Sequence, residues 1–196
     1  MLKIMKKHDL SLALALVFGL TATATEPVID GKKEVKSDAS RVAWKAYKVT
    51  GSHNGTIALN SGALIFDNDK LTGGEFEVQM TSLISTDLEG ESKGKLEGHL
   101  KSDDFFGVEN HPTSTLVFTK VEPSGKNSYE VTGDLTIKGI TKPITFDVSV
   151  YGSKATATMK IDRSKYNVRY GSGSFFENLG DKTIYDEFDL VVDLEF

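Results

Sequence analysis

The stretch FDLVVDLEF, residues 188–196, puts Phe188, Leu190, Val192, Leu194 and Phe196 on one side of an extended chain and Asp189, Asp193 and Glu195 on the other. A period of two is the pattern of a strand with one dry face and one wet face. Working backward, ITFDVSV at 144–150 aligns Ile144, Phe146, Val148 and Val150, and FEVQM at 76–80 aligns Phe76, Val78 and Met80. Fainter alternation runs through 42–49, 55–66, 115–121, 129–137 and 155–161. The breaks carry turn chemistry: Asp67-Asn68-Asp69, PSGKN at 123–127, Gly139 with Pro143, and Gly152-Ser153. Eight short strands joined by such turns predict a mainly all-β, antiparallel meander. A meander of that size hides its edges by closing into an eight-stranded β-barrel.

Two segments depart from this rhythm. In TDLEGESKGKLEGHLKSDDFF, residues 86–106, Leu96, His99 and Leu100 share one face at helical spacing. The spacing predicts one short α-helix over about 92–106, ending at Gly107, with Thr86 and Glu89 as a capping box. Gly90, Gly94 and Gly98 each weaken it by roughly 1 kcal/mol relative to alanine. The second break, 162–184, reads as a long loop with one helical turn, and long loops inside compact domains are often functional.

The N-terminus reads as an export signal. Lys3, Lys6 and Lys7 precede the uncharged run LSLALALVFGL at 10–20, and Thr21 to Ala24 supply small residues for cleavage after Ala24. Eleven apolar residues are too few to span a bilayer, which takes about 20. The expected organisation is therefore a signal peptide at 1–24, a polar leader at 25–39 and one domain at 40–196. Cleavage removes three lysines and one aspartate, leaving 20 basic against 27 acidic side chains. So acidic a surface argues against nucleic-acid binding. The chain has no cysteine, so a hydrophobic core must hold the fold without disulfides.

Catalytic and metal chemistry find little support. His53, His99 and His111 show no HxH or HxxxH spacing, and no cysteine is available, so no metal site is expected. Asp103-Asp104 reads as an ordinary acidic helix end. GSGSFF at 171–176 lacks the strand-to-helix context of a phosphate loop. No nucleophile motif occurs, and neither catalysis nor a cofactor is expected. A basic cluster stands out in the second break, where Arg163, Lys165 and Arg169 accompany Tyr166 and Tyr170. Guanidinium groups suit bidentate contact with phosphate, while salt bridges to acids such as Asp162 are the plainer use.

A family resemblance rests on longer phrases. GHLKSDDFFGVENHPTSTLVF (98–118), GDLTIKGITKPITF (133–146), IDRSKYN (161–167), HNGTIALNSGALIF (53–66) and LTGGEFEVQMTSL (71–83) resemble, in order and spacing, the YceI-like, polyisoprenoid-binding family. Gly107 and His111 stand where that signature commonly has an acid and a tyrosine. The resemblance implies a lipocalin-like barrel holding a long isoprenoid-type lipid, such as a polyprenyl phosphate or quinone-like molecule, for transport, storage or stress response. It also implies a periplasmic or secreted location. If the alternation is in register, the lining comprises Trp44, Phe76, Val78, Met80, Phe118, Leu135, Phe146, Val148, Met159 and Leu190. Phe105, Phe106, Phe175 and Phe176 would form a lid, and Arg163, Lys165, Arg169 and Tyr170 would meet a head group. The expected partner is this lipid, without nucleic acid or stable membrane insertion and with room for a homodimer. Two alternatives stay open: a binder of shorter amphiphiles, and a structural or partner-binding barrel whose core is filled by side chains.

Overall fold

A computed structural model describes residues 31–196; the stretch read as an export signal, 1–24, and the first part of the expected leader lie outside the described residues. The order is β1 (Gly31–Glu34), β2 (Arg41–Lys48), β3 (Gly51–Asp67), β4 (Lys70–Ser85), α1 (Gly90–Lys101), β5 (Thr113–Gly125), β6 (Ser128–Ile137), β7 (Ile140–Tyr151), β8 (Lys154–Asp162) and β9 (Ile184–Glu195). From β2 onward every strand pairs antiparallel with the next, and β9 returns to pair with β2. The eight strands therefore close into a barrel, and each is longer than or shifted only slightly from the stretch its alternation marks. β1 adds a short edge outside the ring, with Gly31 opposite Phe66 on β3. Its sequence, GKKE, is polar on both faces, so no alternation announces it.

Turn chemistry fixes the registers. Asn68 and Asp69 both take positive φ, 47° and 62°, in the two-residue link between β3 and β4, which suits a primed hairpin turn. Pro123 and Pro143, expected in turns, lie inside strands opposite Tyr129 and Asp134. Each stands where its strand has a ladder on one side only, because β5 meets β4 along 113–117 and β7 meets β8 along 147–151. A residue without an N–H is tolerated there.

The helix differs from expectation at both ends. It starts at Gly90 with Glu89 as N-cap and no side-chain capping bond. The Thr86 hydroxyl donates to Asn54 Oδ1 instead of forming a capping box. It stops at Lys101, five residues early, and Ser102 turns extended. The reason is that Phe105 and Phe106 are both buried, with ring centroids 5.0 Å apart. Neighbours on a continuing helix would point about 100° apart. Tight turns through 102–111 bring both rings inward instead, closed by Gly107 at φ +57°.

Large inner side chains lie against strand glycines. A Cβ on Gly55 would fall 1.8 Å from the Ile84 carbonyl oxygen and 2.6 Å from the Trp44 ring, and one on Gly74 would fall 2.8 Å from the Phe118 ring. Gly55→Ala is accordingly expected to lower the melting temperature by more than about 5 °C, since overpacking costs roughly 1–3 kcal/mol or more. Gly94→Ala, on α1 with open space around it, should raise it by about 2 °C. Thermal unfolding followed by circular dichroism checks both.

Candidate functional site: an apolar cavity in the barrel

Inward-facing residues of the eight ring strands do not fill the axis. They enclose a cavity of about 160 Å³. Its wall runs along β9 from Tyr185 to Leu194, which at the usual strand rise and tilt is about 23 Å of barrel axis. At one end Phe66 and Phe196 stack at 5.6 Å. At the other, α1 contributes Leu100, the turn after it contributes Phe105 and Phe106, and half-exposed Tyr185 reaches solvent. That end is the mouth. It gathers the β2–β3 and β6–β7 hairpins, α1 and the 163–183 loop.

The predicted lining residues come together. Trp44, Phe76, Val78, Met80, Phe118, Leu135, Phe146, Val148, Met159 and Leu190 all stand in the cavity wall, as do Phe105 and Phe106. Phe175 and Phe176 do not: they are 40% and 49% exposed on the outer side of the loop, with the Arg169 guanidinium 4.9 Å above the Phe175 ring. Alternation missed part of the wall, including Leu83 and Leu100, because β4 continues past residue 80 and α1 adds a contact of its own.

The basic cluster is dispersed. Arg163 is 2% exposed and is the only one of the four head-group candidates in the wall. Its Nε donates to the Tyr185 carbonyl at 3.2 Å, Nη1 to Val168 at 2.8 Å and Nη2 to Ile184 at 3.0 Å. Asp186 lies 3.4 Å from Nη2, and the guanidinium sits 5.3 Å from the centre of the Phe105 ring. Burial pushes its pKa down, while Asp186 and Asp162 pull it up. With three of its five N–H donors bonded to carbonyls, one from each nitrogen, this buried arginine ties the two ends of the loop together. Lys165 is exposed beside Asp162, 3.9 Å away. Arg169 bonds Asn167, and Tyr170 packs against His99 at 4.3 Å. None of these three lines the cavity.

The histidines stay apart. His99 lies between Tyr170 and Phe105, and His111 rests near Gly107 and Gly139. Among the described residues no group of three or more histidine, aspartate or glutamate side chains is placed to hold a metal ion, and no helix is long and apolar enough to cross a membrane. His53 joins a network that sequence reasoning missed. Its Nδ1 is 2.8 Å from Asp87 Oδ2, while Asp87 Oδ1 accepts from the Ser85 hydroxyl at 2.7 Å and the Asn54 N–H at 3.2 Å. Ser85, fully buried, donates its N–H to Glu97 of α1 at 2.9 Å. Two carboxylates thus fasten β3, β4 and the helix at the mouth. Residues far apart in sequence build this network, so no local motif reveals it.

A closed antiparallel barrel with a mostly apolar cavity and a helix at one end defines a lipocalin-like barrel. The comparisons narrow this further: a profile of the YceI-like domain matches residues 34–196, and the chain belongs to that family. It is 32% identical over 151 residues to a UPF0312 protein of Shewanella denitrificans, covering 76% of this chain and 75% of the relative. With a UPF0312 protein of Vibrio campbellii it shares 33% identity over 146 residues, covering 74% and 71%. Among solved structures it is similar to BcnA of Burkholderia cenocepacia, with a TM-score of 0.65 at 24% identity over 82% of this chain and 98% of that one. It is also similar to a polyisoprenoid binding domain from Saccharophagus degradans, with a TM-score of 0.58 at 13% identity over 85% and 99%.

Burial pushes the Asp87 carboxyl up, but the bonds from Ser85, His53 and Asn54 outweigh it and hold the pKa at about 2, below the usual 3.8. A depressed carboxylate stabilises the fold above its unfolded pKa, and that contribution is lost as pH falls from about 4 to about 2. Asp87→Asn should therefore cost roughly 1–2 kcal/mol at pH 7, with the gap closing by pH 2. Urea titrations across that window measure it.

Proposed function

We propose that the protein binds a long-chain isoprenoid-type lipid with its tail inside the barrel, and that it carries or stores this lipid after export by cleavage behind Ala24. Binding, with no bond made or broken, is the whole of its chemistry in this reading. The observation that carries it is the apolar cavity whose lining spans the ring from Leu64 and Leu194 to Phe105, Phe106 and half-exposed Tyr185. Family membership and the likeness to a barrel called a polyisoprenoid binding domain support it.

Magnitudes set what the cavity can hold. A cavity near 150 Å³ accepts one benzene, so about 160 Å³ seats roughly one five-carbon isoprene unit without rearrangement. Each unit buried contributes on the order of 3 kcal/mol, at about 0.8 kcal/mol per apolar carbon group. A few units offset the ordering of a flexible chain and leave roughly micromolar affinity. Seating several requires wall side chains to turn aside. Met80 and Met159 are the most adaptable of them.

The test is organic extraction of natively purified protein followed by mass spectrometry, with a long-chain isoprenoid expected. Repeated preparations that yield no lipid would sink the proposal. The modest cavity also favours a second reading, a carrier of shorter amphiphiles, and a ligand series of graded chain length separates the two. Ala157→Phe, which places a ring in the cavity wall, should weaken lipid binding at least about tenfold while the protein stays folded. Isothermal titration with the extracted lipid measures that loss. N-terminal mass analysis of exported protein tests cleavage after Ala24.

A further inference from the structure

The end of the barrel that carries α1 and the 163–183 loop also concentrates exposed apolar surface. Of the ten large hydrophobic side chains exposed among the described residues, five gather there: Val49, Tyr170, Phe175, Phe176 and Tyr185. The other five are spread over five different strands. Backbone bonds join the segments that bear the five. The Val49 N–H donates to the Thr183 carbonyl at 3.1 Å, and the Ile184 N–H donates to the Gly171 carbonyl at 2.8 Å.

The tip of the loop is braced as well. Ser172 is fully buried, and its carbonyl accepts from the N–H groups of Phe175 and Phe176 at 3.2 and 3.0 Å. Its Oγ accepts from the Ser174 N–H at 3.1 Å, and the Ser174 hydroxyl donates to Asp186 on β9 at 2.5 Å. Two adjacent phenylalanines are thus held in water by a fixed turn when burial would favour them. Contiguous exposed apolar patches of this kind mark interaction surfaces.

We propose that this rim is a membrane-docking surface, which inserts Phe175 and Phe176 into the interfacial layer of a lipid bilayer while the barrel stays in water. Area and charge choose the bilayer. At roughly 200 Å² per large side chain, the five residues expose less than about 500 Å², whereas a stable protein interface takes about 800 Å² from each partner. A bilayer asks for no matched surface, because each ring that enters it leaves water independently of the others. Aromatic side chains favour that layer. The exposed charges nearby nearly balance, with Lys165, Arg169 and Lys182 against Glu177 and Asp181, so the rings and not the charges drive the docking. Arg169 holds its guanidinium 4.9 Å from the Phe175 ring centre, where its stem can follow the ring inward while its charge stays among the headgroups. The choice of a bilayer rests on the lipid-binding reading above: docking at this end turns Tyr185, Phe105 and Phe106, all in the cavity wall, toward the layer that would supply such a lipid.

The test is flotation of the full exported protein with large unilamellar phosphatidylcholine vesicles. Wild type should float, in high salt as in low, since salt screens charges and not apolar contacts. The double variant Phe175→Ser, Phe176→Ser should lose at least about tenfold in vesicle partitioning while its melting temperature moves by less than about 2 °C. Tyr151→Ser, which removes an exposed aromatic ring at the β7–β8 hairpin, should float like wild type. Absence of flotation by wild type, its loss in high salt, a double variant that floats undiminished, or an equal loss in Tyr151→Ser would each overturn the docking surface. Dimers of wild type by analytical ultracentrifugation that vanish in the double variant, with no flotation, would overturn it in favour of a second copy of this chain. Organic extraction of the same preparations keeps the two readings apart. Lipid recovered from a wild type that does not float overturns docking alone, and flotation of a wild type that repeatedly yields no lipid overturns the carrier reading alone.

Discussion

The ladder between β2 and β9 is the constraint on which the rest depends. Pairing of Val42 with Val192 and Trp44 with Leu190 turns an open meander into a ring. Closure removes two exposed edges and commits every second side chain to a shared interior. An eight-stranded ring is just wide enough to be filled by side chains or to keep room for a small ligand. Residue size decides which. Here Ala46, Ala155 and Ala157 face inward, and the rings of Trp44 and Phe118 occupy space that a Cβ on Gly55 or Gly74 would need. Drawing large rings close to glycine backbone keeps bulk near the wall and leaves the axis partly open.

The mouth is held by a different kind of force. Hydrogen bonds from Arg163 to three carbonyls close the base of the 163–183 loop, and Asp87 and Glu97 fasten β3, β4 and α1. These are charge-assisted bonds in largely buried surroundings, stronger than neutral ones. Removing one partner would strand the others. An apolar site open to water needs such a frame, because greasy contacts alone do not fix a direction. Phe105 joins the two systems, touching the cavity on one side and lying 5.3 Å from the Arg163 guanidinium on the other.

Strands were legible where one face is dry. The alternation at 76–80, 144–150 and 188–196 places Phe76, Phe146 and Leu190 in the wall, and a period of two admits only that face once the core side is known. Legibility failed where structure answers to distant partners. β1 carries no apolar alternation, and α1 ends early because Phe105 and Phe106 both seek the core. The Arg163, Lys165, Arg169 and Tyr170 cluster looked like one site because its members are near in sequence. In space one arginine is buried as a strut and the other three groups lie outside the cavity. The acid beside His53 belongs to a network spread over residues 53–97, and no short window contains it.

A small cavity and a long tail are reconcilable if emptiness itself is costly. Voids forfeit packing contacts, so flexible side chains in a cavity wall gain by packing against one another. Leucine and methionine side chains can then be displaced one rotamer at a time as a tail enters, exchanging side-chain contacts for ligand contacts of nearly equal strength. The net gain comes from the tail's removal from water, which grows with each carbon buried. Aromatic walls are harder to move, and Phe76, Phe118 and Phe146 are packed in succession at 5.5 and 5.8 Å. That row is the stiff part of the wall, and Met80 on β4 and Met159 on β8, on opposite sides of the ring, are its adaptable points. In the lipid reading proposed above, such a wall tolerates variation in tail length better than in tail width, because length recruits further soft neighbours whereas width meets the aromatic row.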